Sequence, residues 1–460
     1  FYAIKTKFMK SILFGVITFI LSPAIFSQKL VFESTYGDDQ NDEVLFSTVN
    51  TENDEFYSIG YSKNINSGYS DLLVCKFENN GTLIWKNTYG GVFNDSGIDI
   101  TELENGNFLL VGSTRNNVPN ASDIWISEID PEGIMVKSFV YGSIAEEYPR
   151  DVFINPDGSI HLLGYADNGG DKDLFLLQLN ADYSIMNYSR LQDNTSDVEG
   201  WSIDKGIDGG YIGCGWKKSQ NLADFYVVKF SDSGVVEWEQ TYGGFDSDSG
   251  LAIKKDNNNY VISGTTRSFG SGPSDFWVIK IDEFGHEIWN KTFGSIGDDS
   301  ARGLDVTPNG YVVSGFSTGY NHDISVYFID FDGNVQSNYT YGLQQIDEGW
   351  RVNYKNGYAT VNGFITDSTV QGFLVVFSID PSSSEPILPL KAESIVFPNP
   401  CHDYIQILNS GDLSNQLNVT SEDAKQYIIQ KKADGTWDTS KIPSYTTYFI
   451  NDLGIKIIKI

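Results

Sequence analysis

One carboxylate position recurs along the chain at a spacing that could do chemistry. Six residues beyond the aromatic of successive aromatic-glycine pairs stand Asp42, Asp95, Glu147, Asp248, Asp299 and Asp347. A single irregular copy carries Val198 there, flanked by Asp197 and Glu199. Carboxylates gathered at one mouth could hold a hard cation such as calcium (Ca), which takes oxygen ligands, or draw in a cationic ligand. They could equally accept backbone N–H bonds, each in its own turn, which is the ordinary use of a repeated Asp. No D-x-D-x-D-G run occurs, and Lys63, Arg115, Lys172, Lys217, Lys218 and Arg267 fall in loops of the same face, where they could neutralise the ring. No cofactor is therefore expected, Ca being the one candidate.

Other catalytic groups are sparse. The four histidines are His161, His286, His322 and His402, and no HExxH, nucleophile elbow or Cys–His arrangement surrounds them. Cys75 and Cys214 sit in apolar strand patterns and read as small core residues. Trp85, Trp238 and Trp289 share one repeat position and read as packing between units, whereas Trp201, Trp216 and Trp350 depart from it. Trp216, read as lying in a face loop beside Lys217 and Lys218, marks a candidate binding surface or an ordinary half-buried Trp.

Those positions belong to a repeat. Aromatic-glycine pairs stand at Tyr36, Tyr89, Tyr141, Tyr242, Phe293 and Tyr341, with a degenerate copy near Leu191. A second glycine series runs through Gly60, Gly112, Gly164, Gly215, Gly264, Gly315 and Gly363. A third marker, an Asp opening an apolar stretch, recurs at Asp71, Asp123, Asp173, Asp224, Asp275 and Asp323. All three share a period of about 51 residues. In the unit from Tyr89 to Tyr141 the pattern predicts four strands: about 97–103, 108–113, 123–129, and a last one reaching Tyr141. Asn105-Gly106 and Pro131-Glu132-Gly133 supply turns. Gly97, Gly250, Gly349 and Ala301 are expected where innermost strands crowd an axis.

Four antiparallel strands per unit predict an all-β, seven-bladed β-propeller. The seventh unit supplies three strands before Pro381, and residues 29–35 supply the fourth. The N-terminal strand thus closes the last blade and hides the ring's edges.

Composition bounds the partners. The 460 residues carry 31 Lys+Arg against 61 Asp+Glu, a formal net charge of -30, which argues against nucleic acid. Aromatics at 14% exclude a disordered chain, and three cysteines cannot form a disulfide framework. Residues 1–27 read as a signal peptide with upstream residues: Lys5, Lys7 and Lys10 precede an apolar run from Ile12 to Leu21, then Pro23, Ala24 and Ser27, with Met9 as the expected start. That run is about half the roughly 20 residues a spanning helix needs, so no transmembrane span is expected in the mature protein.

After the propeller (28–381) and a linker (382–394), residues 395–460 change character and read as a small β-sandwich. Val396-Phe-Pro-Asn-Pro-Cys-His-Asp-Tyr-Ile-Gln-Ile407 resembles the opening of the type IX secretion system C-terminal sorting domain of Bacteroidetes bacteria. Ile442-Pro443, Tyr448-Phe449-Ile450 and the terminal Gly454-Ile-Lys-Ile-Ile-Lys-Ile460 are similar to its end, while Tyr445-Thr446-Thr447 replaces the glycine usual before the late aromatic. The resemblance implies that Phe397, Pro398, Asn399, Pro400, Gly454, Lys456 and Lys459 act as a sorting signal read by the secretion machinery. It implies signal-peptide export to the periplasm, then secretion or attachment at the outer cell surface. The expected function is a non-catalytic binding or adhesion module for a surface glycan or protein. The alternatives are an extracellular carbohydrate-active enzyme using channel-mouth carboxylates, and a purely structural surface protein.

Overall fold

In a computed structural model the chain separates into two compact units, one of them Gln28–Pro381. The structure describes residues 27–380 apart from 38–40, 116–120, 192–195, 220–221, 320–321, 343–344 and 367–368; beyond 380 it describes only the backbone of six strand segments between 404 and 459. Those six pair in one sheet. Phe397, Pro398, Asn399, Pro400, Gly454 and His402 lie outside the described residues, and of Lys456 and Lys459 only the strand backbone is described.

The larger unit is an all-β, seven-bladed propeller, with no helix among its described residues. Six blades take four consecutive strands in simple order. The seventh takes Glu348–Lys355, Tyr358–Thr366 and Val370–Asp380, and its outermost strand is the N-terminal Ser27–Tyr36. The ring therefore closes as the complementary terminal strands predict.

In the second blade the strands are Asp95–Glu102, Phe108–Thr114, Asp123–Ile129 and Met135–Tyr141. The innermost begins two residues earlier than its turn signals suggest. All seven residues of Asp123–Ile129 are buried, because both faces of a middle strand meet a neighbouring blade. Odd and even residues of Phe108–Thr114 accordingly enter different cores. Leu109 and Val111 pack with Leu162, Phe175 and Leu177 of the third blade, while Phe108 and Leu110 pack with Tyr57, Ile59 and Val74 of the first. Burial of each such side chain contributes roughly 1.5–3 kcal/mol. The hydrophobic core is thus a set of seams between blades.

The repeated aromatics staple those seams. Tyr89 Oη donates to the carbonyl of Gly133, in the outer turn of the next blade, at 2.6 Å, and Tyr141 does the same to Tyr183 at 2.6 Å. Trp85, Trp238 and Trp289 lie beneath the equivalent turns: a Cβ added at Gly133, Gly285 or Gly333 would meet their rings at 3.1, 3.1 and 2.9 Å. They pack between blades, as their shared position predicts.

The second glycine series has a different cause. Each innermost strand carries a β-bulge directly opposite it, for instance between Leu45 and Ser47 and between Gly200 and Ser202. The bulge tips the carbonyl before it toward the second strand, so a Cβ at Gly60 would lie 1.8 Å from Val44 O, and one at Gly215 1.8 Å from Glu199 O. Gly215→Ala is expected to destabilise the propeller by about 2–3 kcal/mol in urea unfolding. Gly106→Ala, at a turn glycine with φ of 80° and open space around it, should cost only about 1 kcal/mol.

Candidate functional site

The bulges build the site. Each leaves one residue of its innermost strand unpaired: Phe46, Ile98, Arg150, Trp201, Leu251 and Arg302, with two in the seventh blade, Trp350 and Arg351. All eight line one cavity of about 670 Å³ at the channel mouth. Residues from the fourth to sixth blades complete its wall, among them Trp216, Ser249, Thr265, Arg267, Ser300, Phe316, Thr318 and His322. Among the described residues the only lining carboxylate is Asp298, whose Oδ1 accepts from Ser274 Oγ at 3.1 Å.

Two guanidinium–indole stacks stand in this ring. Arg150 lies 4.1 Å over the ring of Trp201 and Arg302 lies 4.0 Å over Trp350, while Phe46 meets Trp350 edge-on at 4.9 Å. Trp201 Nε1 is fixed by Glu199 at 3.0 Å, and Arg302 by Glu348 at 2.7 Å. Burial lowers the Arg302 pKa against the opposing pull of Glu348, and burial likewise lowers that of His322.

Arg351 joins blades across the ring. From the seventh blade it reaches Asp99 at 2.9 Å in the second and Asp151 at 2.8 Å in the third, so it crosses the channel. Ser47 Oγ donates to Asp99, and Ser202 Oγ and the Ile203 N–H donate to Asp151. Burial pushes the Asp99 carboxyl above the usual range despite Arg351. At Asp151 burial acts the same way, but Arg351 and Lys254 outweigh it and hold the group low. Lys254 itself, opposed by burial, is kept charged by Asp305, Asp204 and Asp151. The channel interior thus holds buried charges of both signs, with Arg351, Asp99 and Asp151 joined directly.

The repeated carboxylates lie elsewhere. Asp95, Glu147, Asp248, Asp299 and Asp347 are each at most 1% exposed, and neither they nor Asp42 line the cavity. Four turn into their own loops, while Asp42 reaches the first residue of the seventh blade's third strand and Asp347 the last residue of that blade's second strand. Asp42 accepts from Val370 N at 3.2 Å, Asp95 from Gly91 N at 2.8 Å and Glu147 from Ser143 N at 3.2 Å. Asp248 accepts from Gly244 N at 3.0 Å, Asp299 from Ser295 N, and Asp347 from Thr366 N at 2.6 Å.

Four of these carboxylates crowd the Asp that opens the preceding blade's third strand. A Cβ at Gly90 would fall 2.2 Å from Asp71 and 2.5 Å from Asp95, which is why glycine follows the aromatic. Among the described residues no group of three or more His, Cys, Asp or Glu could hold a metal. Of the basic residues expected in face loops, Lys63, Lys172, Lys217 and Lys218 lie instead at strand ends; Arg115 pairs with Glu146 and Lys172 with Glu199, neighbours of the ring positions.

Some sequence-level expectations need correction. Gly97, Gly250 and Gly349 face the preceding blade, not the axis: their Cβ atoms would meet Ile59, Gly215 O and Gly315 O. Trp216 belongs to the strand Tyr211–Ser219, not to a loop. Trp201, Trp216 and Trp350, the aromatics outside the repeat position, all line the cavity. Arg150, Arg302 and Arg351 were missed, although a signal existed: Arg302 directly follows the small residue Ala301, where other blades carry Ile98, Leu251 and Trp350, and Arg150 holds the same position after Pro149. His161 is a core residue, stacked on Tyr211 at 4.0 Å with its pKa lowered by burial to about 4. Cys75 and Cys214 are buried.

No family model and no curated protein matches the chain. Solved structures do. The Pan2 WD40 domain of Neurospora crassa aligns with a TM-score of 0.49 and 8% identity over 78% of this chain and 97% of that one. The polysaccharide lyase Uly1 gives 0.49 and 9% over 76% and 100%. The β-propeller domain of the Trilobed protease of Pyrococcus furiosus, described as having an open velcro topology, gives 0.43 and 10% over 76% and 99%. The likeness is one of fold.

Two measurements check this electrostatic arrangement. Arg351→Met, leaving two buried carboxylates without their cation, should cost about 3–5 kcal/mol in urea unfolding, and adding Asp99→Asn and Asp151→Asn should recover most of it. Asp323, unpaired at Oδ1 and facing Asp347, is raised to about 6 by burial and then by that charge. A carboxyl whose folded pKa is raised binds its proton more tightly in the native state, so stability falls as pH rises from about 4 to 6. Asp323→Asn should therefore gain about 1 kcal/mol at pH 8 and nothing at pH 4.

Proposed function

We propose that this chain is an exported binding module, secreted or attached at the outer cell surface, that takes its ligand in the channel-mouth cavity without transforming it. The observation that carries this reading is the convergence of all eight bulged residues on one cavity. A bulge gives up ladder bonds, and bulges gather where a strand must aim a side chain. Here seven strands do so at one place, and the residues so aimed differ from blade to blade while the surrounding scaffold repeats. A scaffold needs the glycines opposite the bulges; it does not need Arg150, Trp201, Arg302 and Trp350 at their tips.

Export rests on the N-terminal Lys5 to Ser27 pattern and on the sorting-domain resemblance of residues 395–460, read as a small β-sandwich recognised by the type IX secretion machinery. A second reading, an enzyme acting on polysaccharide, draws support from Asp298 and His322 lining the same cavity.

Glycan-array binding followed by tryptophan-fluorescence titration tests the proposal. Trp201→Ala and Trp350→Ala should each weaken binding about tenfold or more while leaving the circular dichroism unchanged. Unaltered affinity in both would remove the cavity as the site. Release of reducing ends from a bound glycan, lost in Asp298→Asn, would establish the enzyme instead.

A further inference from the structure

Taking the cavity as the ligand site, we propose that it recognises an acidic oligosaccharide, a chain of sugars bearing carboxylates. The inference deepens the binding reading and rests on it.

The electrostatics point to an anion. In a chain with a formal net charge of -30, four arginines line this one cavity against the single carboxylate Asp298 among the described lining residues. Two of the four are committed within the protein, Arg351 to Asp99 and Asp151 and Arg302 to Glu348. Arg150 is not. Its guanidinium is stacked on Trp201 at 4.1 Å and on Tyr165 at 5.2 Å, and Nη2 lies 3.3 Å from the Tyr165 hydroxyl. Its buried Nε has no hydrogen-bond partner, and among the described residues it makes no ion pair. A buried N–H left unmade costs about 1–3 kcal/mol, a penalty that a ligand acceptor would remove. Arg267 is exposed at the same wall and, among the described residues, takes part in no ion pair. A planar guanidinium held flat by aromatic rings presents its edge as a fork, which matches a carboxylate bidentately.

The remaining surface points to sugar. Trp201, Trp216 and Trp350 offer flat apolar faces, and Thr265 and Ser300, whose hydroxyls are 2.6 Å apart, offer the donor–acceptor groups that ring hydroxyls need. A cavity of about 670 Å³ holds several sugar rings. A nucleic acid would be repelled by the overall charge.

Titration calorimetry on the full chain tests this with oligogalacturonate, its fully methyl-esterified form, maltohexaose and oligoglutamate. The acidic sugar should bind, with the ester, the neutral sugar and the acidic peptide at least about tenfold weaker. Arg150→Gln and Arg267→Gln should each reduce oligogalacturonate affinity about tenfold and narrow the gap between acid and ester; Arg267, being exposed, tests the point without risk to folding. Ester binding equal to that of the acid, still lost in Trp201→Ala, would overturn the acidic class and leave the cavity as the site. Oligoglutamate binding as tightly as the sugar would overturn the saccharide class. Absence of oligogalacturonate binding would overturn the proposal outright.

Discussion

In every blade the innermost strand carries an unpaired residue, and the rest of the architecture is arranged around that bulge. The extra residue tips a backbone carbonyl outward, and the second strand can pass it only with glycine, which is why Gly60, Gly112, Gly164, Gly215, Gly264, Gly315 and Gly363 recur. The same extra residue is pushed inward, off the ladder, into the channel mouth. One backbone feature thus imposes the most regular part of the sequence and exposes its least regular part. Selection on ligand can act on Phe46, Ile98, Arg150, Trp201, Leu251, Arg302 and Trp350 without touching the seams between blades.

The seventh blade departs from this rule in an informative way. It bulges by two residues, and the second, Arg351, spans the channel to carboxylates of the second and third blades. A charge so deeply placed is tolerated because both partners are themselves held by hydroxyls or backbone N–H groups. The consequence is a tie: one side chain lining the cavity joins the seventh blade to the second and third. The blade that is completed by the N-terminal strand is also the one that ties opposite sides of the ring together.

The aromatic and acidic markers divide their labour. Tyrosine hydroxyls and tryptophan rings of the outer strands hold each blade to the next one's turn, and buried carboxylates organise the loops of the cavity face. The strong negative charge of the chain therefore has little to do with the surface of the cavity, where arginine and tryptophan dominate.

Blade number, closure by the N-terminal strand and the glycine positions were all legible in the residues, because each follows from a local rule repeated about every 51 residues: turn chemistry, strand periodicity, and a glycine wherever backbone approaches too closely. Trp201, Trp216 and Trp350 stood out in the sequence as departures from the repeat, and all three line the cavity, but only Trp216 had been read as a candidate surface, and in a loop rather than a strand. What tertiary structure alone decided is direction. Spacing placed a carboxylate in six of seven copies but could not say whether the six converge; only the backbone N–H groups that each accepts from, in loops or at strand ends, show that they turn away. Nor could spacing bring Arg351 beside Asp99, some 250 positions distant, since that contact exists only once the ring has closed.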